Sequence, residues 1–271
     1  MLFPQCLCIV RGAGDLATGA LYRLHRAGFP VLALELDKPR VVRRMASFAQ
    51  AMFAGEARVD ELAARRMTLP EAAASVEAAS PIIPVVADPN GEAIRQLRPS
   101  VVVDGRLAKS ALDTTLNDAP LVIGLGPGFA IGLNCHVIIE TIRGHNLGRV
   151  IWSGAAHPDT GRPESVMGYT IERILSAPAT GTLRGYKNIG DAVHYGDLIA
   201  SVEGEPITAP FIGVLRGLMH GGLPVTKGEK VGDLDPRREP SACFTISDKS
   251  LAIGGGVVEA VLTWMQLNDE R

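Results

Sequence analysis

Two segments of this chain repeat each other at a fixed offset, so that position 177 corresponds to position 209 and position 199 to position 231. Nine of the aligned pairs are identical, and the alignment needs no gap. Leu183-Arg184-Gly185, for example, returns as Leu215-Arg216-Gly217. Self-similarity at a fixed period is a property of whole folds rather than of single turns. Because both copies are rich in glycine and in short apolar runs, we expect two similar β units that pack together as a small sandwich or barrel.

The repeated region resembles the barrel-sandwich hybrid of lipoyl and biotinyl carrier domains. Those carriers place a modifiable lysine on the hairpin that joins their two halves. The joining segment here is Val202-Glu203-Gly204-Glu205-Pro206-Ile207, which contains no lysine. The resemblance therefore implies a β-rich domain over residues 175–238 and argues against a swinging-arm carrier.

The chain before this β-rich region has the pattern of an α/β architecture. Short runs rich in Val and Ile, typical of buried parallel strands, alternate with segments of helical periodicity. The candidate strands are 6–10, 31–34, 84–87, 101–103 and 121–123. This alternation predicts a Rossmann-like, doubly wound parallel sheet over residues 1–174. Residues 239–271 are expected to add a strand and a helix that return to this first domain.

The strongest local motif lies between the first predicted strand and the helix that follows it. Residues 12–17 fit the pattern G-x-G-x-x-A of a dinucleotide-binding turn. Gly12 permits the tight turn, Gly14 leaves room for a pyrophosphate, and Ala17 allows close helix packing. The N-terminus of the helix would offer free N–H groups to a phosphate. The motif therefore predicts cofactor binding by Gly12, Ala13, Gly14, Asp15 and Ala17.

Glu35 completes the predicted nucleotide site. It stands at the end of the second predicted strand, and a dinucleotide site needs a carboxylate for the ribose hydroxyls at such a place, about 20 residues after the glycine motif. NAD(P) or another nucleotide is the expected ligand. A 2′-phosphate could be met by the arginines that follow, Arg40, Arg43 and Arg44. Alternatively, the glycines serve only a strand–helix turn with Asp15 as a local cap, and the charge of Asp15 would itself repel a phosphate that it faced.

A second glycine-rich turn, Gly124-Leu125-Gly126-Pro127-Gly128-Phe129, also follows a predicted strand. Ligands of doubly wound sheets bind at the carboxyl ends of the strands, where Asp104 and Arg106 are also expected. Gly124, Gly126 and Gly128 are therefore candidate cofactor-binding residues, although a tight turn with positive φ would explain them equally well. Gly254-Gly255-Gly256 is a third candidate anion site, with a close packing contact as its alternative.

Cys135 and His145 are the candidate catalytic residues. Cys135 precedes His136, but neighbours on a strand point to opposite faces, and a free Cys is usually buried and inert. Further polar candidates in this part of the chain are Asn134, Glu140, Arg143, His157, Asp159 and Thr160. Cys6 and Cys8 lie two positions apart on the first predicted strand and are expected to pack in the core. The spacing of the six His residues predicts no metal site.

Composition excludes several classes of protein. The formal net charge is −2 and the pI is about 6.3, which argues against a nucleic-acid binder. Apolar runs fall well short of the roughly 20 residues that span a bilayer, and the first residues carry no basic region, so we expect neither a membrane protein nor a secretory signal. Four cysteines without a Cys-x-x-Cys pair fit a reducing cytoplasm.

Several longer motifs together resemble the YqeB family. The first is the stretch from Val10 to Gly19, which contains the glycine motif. The others, spread over nearly the whole chain, are 124–129, 140–145, 147–150, 159–161, 215–217, 232–237, 247–249 and 254–260. The resemblance implies an accessory protein of the selenium-dependent molybdenum hydroxylase system, whose client enzymes hydroxylate purines and related heterocycles.

A maturation factor of this kind would bind a nucleotide, or the pyrophosphate of a molybdopterin-type cofactor, through residues 12–17. Its partner would be the client hydroxylase, and a homo-oligomer is also possible. One alternative is an NAD(P)-dependent oxidoreductase, although the sequence shows no Tyr-x-x-x-Lys signature. Another is a nucleotide-sensing scaffold that catalyses no reaction.

Overall fold

The computed structural model describes residues 1–107, 113–159, 161 and 165–269. The chain forms two compact units. The first comprises Met1–Asp37, Phe48–Asp159 and the chain from Ile246 onward. The second comprises Lys38–Ser47 and the described residues from 161 to 245. A segment from the middle of the region 1–174 therefore belongs to the same unit as the repeated region.

The first unit is built on a nine-stranded sheet. Its strands are β1 Cys8–Arg11, β2 Val31–Glu35, β3 Glu56–Val59, β4 Leu62–Met67, β5 Ile82–Ala87, β6 Val101–Asp104, β7 Leu121–Leu125, β8 Val137–Ile139 and β9 Val150–Ile151. Their order is β3-β4-β5-β2-β1-β6-β7-β8-β9. The seven inner strands run parallel, whereas β3 pairs antiparallel with β4 and β9 pairs antiparallel with β8. One apolar cluster takes a fully buried side chain from each of five adjacent strands, namely Leu32, Ile9, Val102, Val122 and Ile138.

The predicted Rossmann-like, doubly wound parallel sheet is wrong. The Ala-rich stretch after Gly55 forms the β3–β4 hairpin, which puts an antiparallel strand at one edge. The hairpin also adds two strands beyond β5, and β9 adds a second antiparallel strand at the opposite edge, so the sheet is mixed and has nine strands. Within the described residues, no α-helix connects β6 to β7 or β7 to β8. Apolar runs located several strands, but they carry no information on how the strands connect.

In the described part of the chain, five α-helices accompany the sheet, namely α1 Asp15–Arg26, α2 Ala51–Ala54, α3 Leu69–Glu77, α4 Glu92–Leu97 and α5 Asp248–Asp269. Two glycines of α5, Gly254 and Gly256, make room for neighbouring main chain. A Cβ on Gly254 would lie 2.2 Å from the carbonyl oxygen of Gly19 in α1, and one on Gly256 would lie 2.2 Å from that of Gly148. These glycines lie inside α5 rather than before it, so close packing accounts for them.

Among the described residues, α5 alone is long and apolar enough to cross a membrane, judged by length and composition. Its residues Ile253, Val257 and Val261 are fully buried in the protein. A helix with a covered apolar side is also what the core of a soluble protein contains. The helix is therefore compatible with a soluble protein.

The described residues of the second unit form eight strands in two four-stranded sheets. The strands are β10 Ile174–Ser176, β11 Gly181–Gly185, β12 Ala192–Val193, β13 Leu198–Val202, β14 Glu205–Thr208, β15 Gly213–Leu218, β16 Pro224–Val225 and β17 Lys230–Asp235. One sheet has the order β10-β17-β15-β12 and the other β14-β13-β11-β16. The 32-residue offset relates β10 to β14, β11 to β15, β12 to β16 and β13 to β17. When each strand is replaced by its counterpart, the strand order of one sheet becomes the strand order of the other. Each sheet therefore takes two strands from each half of the repeat.

Candidate functional site

Polar residues end several parallel strands at the side of the sheet where the carboxyl ends lie, here called the carboxyl edge. Arg11 ends β1, Glu35 ends β2 and Asp104 ends β6. Arg11 pairs directly with Asp104 in the register of β1 and β6. Glu140 follows directly after β8. Because neighbouring strands lie about 4.8 Å apart, β6 and β8 are separated by about 10 Å along this edge. Ligands of parallel sheets bind at carboxyl ends, so this edge is the candidate site.

The first glycine turn is closed by the protein's own Glu35. Gly12 has a φ of 97°, and its N–H donates to the carbonyl of Leu34 at 2.6 Å. The N–H of Ala13 donates to Glu35 Oε2 at 2.8 Å, and the N–H of Leu36 donates to Oε1 at 2.8 Å. Burial raises the pKa of Glu35, and these two N–H groups only partly offset that effect.

These contacts overturn the predicted NAD(P) site. The carboxylate that was expected to hold the ribose hydroxyls is bound to Ala13, in the turn that was expected to hold the phosphate. Asp15, at the start of α1, accepts a hydrogen bond from the hydroxyl of Ser250 at 2.9 Å. Ala17 packs against Gly105, where a Cβ would lie 2.9 Å from the Cβ of Ala17. Gly14 precedes α1 without a side-chain cap.

The second glycine turn makes room for the protein's own side chains. A Cβ on Gly124 would lie 2.2 Å from the ring of Phe129, and one on Gly126 would lie 2.4 Å from Thr141 Oγ1. Gly126 and Gly128 have φ values of 79° and 100°, which L residues rarely adopt. Internal packing and turn geometry therefore account for the glycines of this turn.

An arginine network lies at the carboxyl edge and consists of Arg11, Asp104, Arg106, Asp113 and Thr114. Arg106 binds both oxygens of Asp104, with Nε at 3.1 Å and Nη2 at 2.7 Å. Arg11 Nη2 lies 2.8 Å from one oxygen of Asp113, and Arg106 Nη2 lies 2.7 Å from the other. The hydroxyl of Thr114 accepts a hydrogen bond from Arg11 Nη1 at 2.9 Å and donates one to Asp104 Oδ2 at 2.6 Å.

Asp113 is the most accessible member of the arginine network. Its side chain is 51% exposed, against 3% for Arg11 and 0% for Asp104. Burial raises the pKa of Asp113, but the hydrogen bonds and charges of Arg11 and Arg106 outweigh it and bring the pKa to about 2. The pKa of Arg106 is raised by Asp104 and Asp113, although burial lowers it. Carboxylates and phosphates bind arginine in the same way, so an external anion could take the place of the Asp113 carboxylate.

A second polar group at this edge joins Glu140 to His157. Glu140 is 1% exposed. The N–H groups of Thr141 and Ile142 donate to its Oε1, both at 2.7 Å. The main-chain N–H of His157 and its ring Nδ1 lie 2.8 Å and 2.7 Å from Oε2. Burial raises the pKa of Glu140, but these hydrogen bonds outweigh burial and lower it. The carboxylate is therefore ionised at neutral pH, and Nδ1 of His157 carries the proton.

The two candidate catalytic residues lie in different surroundings. Cys135 is fully buried. Burial raises its pKa to about 11, although the N–H of Val137 has a small lowering effect, so the thiol is protonated at neutral pH. His145 is exposed in a turn. His136, next to Cys135, has a structural contact, since the N–H of Val122 donates to its Nδ1 at 2.9 Å.

Asn134 and Arg143, two of the remaining polar candidates, contact other residues of the first unit. Asn134 Oδ1 accepts a hydrogen bond from the N–H of Ala130, and Arg143 binds both oxygens of Asp248 at 2.6 Å and 2.8 Å. Thr160 lies outside the described residues. In the part of the chain that the structure describes, no group of three or more His, Cys, Asp or Glu side chains could hold a metal ion.

The arginines that were expected to meet a 2′-phosphate all lie in the second unit and contact other residues of that unit. Arg40 contacts the side chain of Glu229 and the carbonyl of Pro224. Arg43 and Arg44 donate to main-chain carbonyls, namely those of Ala242 and Leu218.

Sequence reasoning missed the parts of the arginine network that lie far from its strands. Arg106 and Asp104 are expected at the carboxyl edge from the sequence, but the sequence analysis assigns no role to Arg11. Asp113 and Thr114 carry no motif, and the pairing of Glu140 with His157 joins distant positions without a regular spacing. One signal in the sequence could have predicted the arginine network. Arg11 ends a strand that is buried, and a buried charge requires a partner of opposite charge.

The fold and its carboxyl edge define an α/β protein with a polar site on a mixed sheet, joined to a unit of repeated β-strands. No protein-family model matches the chain. Over 259 residues, 96% of its length, the chain is 46% identical to a protein of Escherichia coli named "Uncharacterized protein YqeB". This identity supports membership of the YqeB family. The chain spans about half, 48%, of the length of that relative.

Two solved structures show a weak likeness. An aspartoacylase family protein from Mesorhizobium loti is 14% identical with a TM-score of 0.24, over 53% of this chain and 60% of that one. A succinylglutamate desuccinylase from a Silicibacter species is 14% identical with a TM-score of 0.25, over 85% of this chain and 86% of that one. A likeness at this level supports no conclusion about activity.

Proposed function

We propose that this chain is an accessory protein of the selenium-dependent molybdenum hydroxylase system and that it binds a phosphate-bearing ligand, a nucleotide or a molybdopterin-type cofactor, at the carboxyl edge. The similarity of the chain to the Escherichia coli protein YqeB supports the maturation role, because that role is what the resemblance to the YqeB family implies. The arginine network supports the class of ligand. The observation that carries the proposal is the half-exposed carboxylate of Asp113, which bridges the guanidinium groups of Arg11 and Arg106.

The proposed ligand phosphate replaces Asp113 between the two arginines. Arg106 stays in position because Asp104 holds it by two hydrogen bonds, and Arg11 stays in position because Thr114 holds it. Arginine suits this task, since its planar group binds phosphate oxygens in pairs and stays charged when buried. The ligand therefore depends on side-chain cations rather than on the glycine turn, whose Ala13 N–H already binds Glu35.

The client hydroxylase and the cytoplasm belong to the same proposal. All four cysteines are free and buried, as is usual for proteins of a reducing compartment. The client is the partner that receives the ligand or is modified while the ligand is bound.

Calorimetry with inorganic pyrophosphate tests the ligand site. We expect Arg106→Gln to weaken binding at least tenfold, because it removes one of the two cations. We expect Asp113→Asn to tighten binding several-fold, because it removes the internal competitor. Arg95→Gln is the matched control, since Arg95 is in the same unit and its side chain is 71% exposed. Equal affinity in all four proteins, or weaker binding by Asp113→Asn with an unchanged melting temperature, would contradict the site.

Client hydroxylase activity in cells tests the maturation role. We expect Arg106→Gln to lower that activity, while Arg95→Gln leaves it unchanged. Native mass spectrometry of the freshly purified protein identifies the retained ligand. If pyrophosphate binds as expected but Arg106→Gln leaves the client fully active, the maturation role is wrong and a nucleotide-sensing scaffold becomes the better interpretation.

A further inference from the structure

We propose that His157, oriented by Glu140, is the general base of a hydrolytic reaction on the phosphate-bearing ligand of the carboxyl edge. This inference rests on the proposed function for its substrate class. It goes beyond that function in assigning a chemical step to two residues outside the arginine network.

The contacts of Glu140 fix which ring nitrogen of His157 is reactive. Oε1 is fully occupied by the N–H groups of Thr141 and Ile142. Oε2 faces the main-chain N–H and the ring Nδ1 of His157. Because an ionised carboxylate can only accept hydrogen bonds, its contact with Nδ1 requires that Nδ1 carry the proton of the neutral ring. Nε2 then carries the free electron pair, which is the tautomer that a general base needs.

Glu140 is buried and the side chain of His157 is half-exposed, as a positioning carboxylate and a general base require. Glu140 is 1% exposed, so its carboxylate is held in place by the surrounding chain and can fix the orientation of the ring. The side chain of His157 is 54% exposed, so a substrate or a water molecule can reach it. A carboxylate that only closed a loop would be satisfied by main-chain N–H groups, and three such groups already bind Glu140.

The position along the sheet connects this dyad to the ligand. Glu140 follows β8, and Asp104 ends β6, with β7 between them. Two strand spacings separate the dyad from the arginine network by about 10 Å. A nucleotide or a pterin phosphate is long enough to contact both groups.

The proposed step balances as a hydrolysis. Nε2 of His157 takes a proton from a water molecule as the water oxygen forms a bond to phosphorus. The bond from phosphorus to the leaving oxygen breaks, and that oxygen keeps the electron pair. The imidazolium, stabilised by the Glu140 carboxylate, then gives its proton to the leaving oxygen or to solvent.

His157→Asn separates the catalytic role from a structural one. The Asn side chain places an N–H donor close to the position of Nδ1, so the contact with Glu140 persists, but nothing replaces Nε2. General-base catalysis contributes roughly 100-fold to 10,000-fold in rate, so we expect phosphate release from ATP and GTP to fall at least 100-fold. The melting temperature and the affinity for pyrophosphate should stay at the wild-type values. His194→Asn, which changes an exposed His of the second unit, is the matched control.

Glu140 acts through His157 and is therefore a positioning residue. In Glu140→Gln we expect kcat for phosphate release to fall at least tenfold while KM stays within twofold. Nitrogen NMR of the labelled His157 ring supplies a readout that a purely structural role would not move. The wild-type protein should show the Nδ1–H tautomer, and the variant should show a mixture of tautomers.

The outcomes separate this inference from the proposed function. Phosphate release that is lost in His157→Asn, with pyrophosphate binding retained, supports both. Pyrophosphate binding without any release by the wild-type protein, or release that His157→Asn leaves unchanged, overturns the dyad and leaves the ligand site standing. Release that depends on His157 without any binding of pyrophosphate supports the dyad and contradicts the ligand site. Neither binding nor release overturns both.

Discussion

Asp104 and Glu140 are two buried carboxylates at the same edge of one sheet, and the chain satisfies them in different ways. Asp104 takes its hydrogen bonds from the side chains of Arg106 and Thr114 and from the N–H of Arg106. Glu140 accepts four hydrogen bonds. Three come from main-chain N–H groups and the fourth comes from the ring of His157. A buried carboxylate is costly unless it is paired and hydrogen-bonded.

This difference indicates what each carboxylate does. Asp104 neutralises a permanent cation, so its removal disturbs the charge balance of the whole arginine network. Glu140 would keep its three main-chain hydrogen bonds without the ring of His157. The contact between the carboxylate and the ring therefore orients the ring and is not needed to stabilise the carboxylate. Variants that change the two residues in the same way should therefore have effects of different size and kind.

The largest effect is expected from Asp104→Asn. The change leaves Arg106 with the half-exposed Asp113 as its remaining carboxylate partner. Breaking a buried ion pair costs about 3 kcal/mol or more, and we expect a loss of this size in the free energy of unfolding measured with urea. Asp37→Asn is the control, because the ion pair of Asp37 with Arg66 is exposed, and an exposed pair contributes about 1 kcal/mol or less. Equal losses in the two variants would show that Asp104 has no special role.

Gly126→Ala tests the turn that lies between the two carboxylates. The new methyl group would meet Thr141, the residue after Glu140, and the residue would have a φ of 79°. Left-handed backbone strain alone costs about 1 kcal/mol or more for a residue other than glycine. Gly132→Ala is the matched control, because Gly132 has a φ of 80° with open space around it. We expect Gly126→Ala to lose more stability in urea unfolding than Gly132→Ala, and equal losses would exclude the contact with Thr141.

The sequence predicted the local parts of this edge and missed its assembly. The strand before Gly12 and the helix after it are both present, because apolar runs and glycine spacing act over a few residues. The carboxylate of Glu35, expected to hold a ribose, instead accepts the N–H of Ala13. The spacing of Glu35 from the turn does not distinguish a carboxylate that binds a ligand from one that binds its own main chain.

The sheet order was unpredictable for a related reason. β5 enters between β2 and β4, and the β3–β4 hairpin forms in an Ala-rich stretch without clear alternation. Such pairings depend on long-range packing rather than on local propensity. The 32-residue repeat is the exception in this chain, since it relates whole strands of the second unit, and those strands do follow the offset.

Glu140→Gln should cost less stability than Asp104→Asn. Gln can accept the N–H bonds of Thr141 and Ile142 through its carbonyl oxygen, but its amide group then faces the main-chain N–H of His157. One buried donor is left unsatisfied, which costs about 1–2 kcal/mol. Urea unfolding at pH 8 measures the difference. A loss as large as that of Asp104→Asn would mean that the charge of Glu140, like that of Asp104, is needed for the fold.

The smallest effect is expected at the other end of β8, where the ring of His136 responds to pH. Its Nδ1 accepts the N–H of Val122, and burial lowers the pKa of its ring below the ordinary value of 6.5. Its contribution to stability is therefore complete above about pH 6.5 and is lost as the pH falls through the lowered pKa. The arginine network contributes above the ordinary pKa of Asp113, 3.8, and loses its contribution as the pH falls toward about 2. In His136→Asn the amide oxygen can still accept the N–H of Val122 but does not titrate. We expect the urea midpoint of the wild-type protein to fall between pH 7.5 and pH 5 by more than that of His136→Asn, and parallel curves over this range would show that the ring of His136 does not control this step.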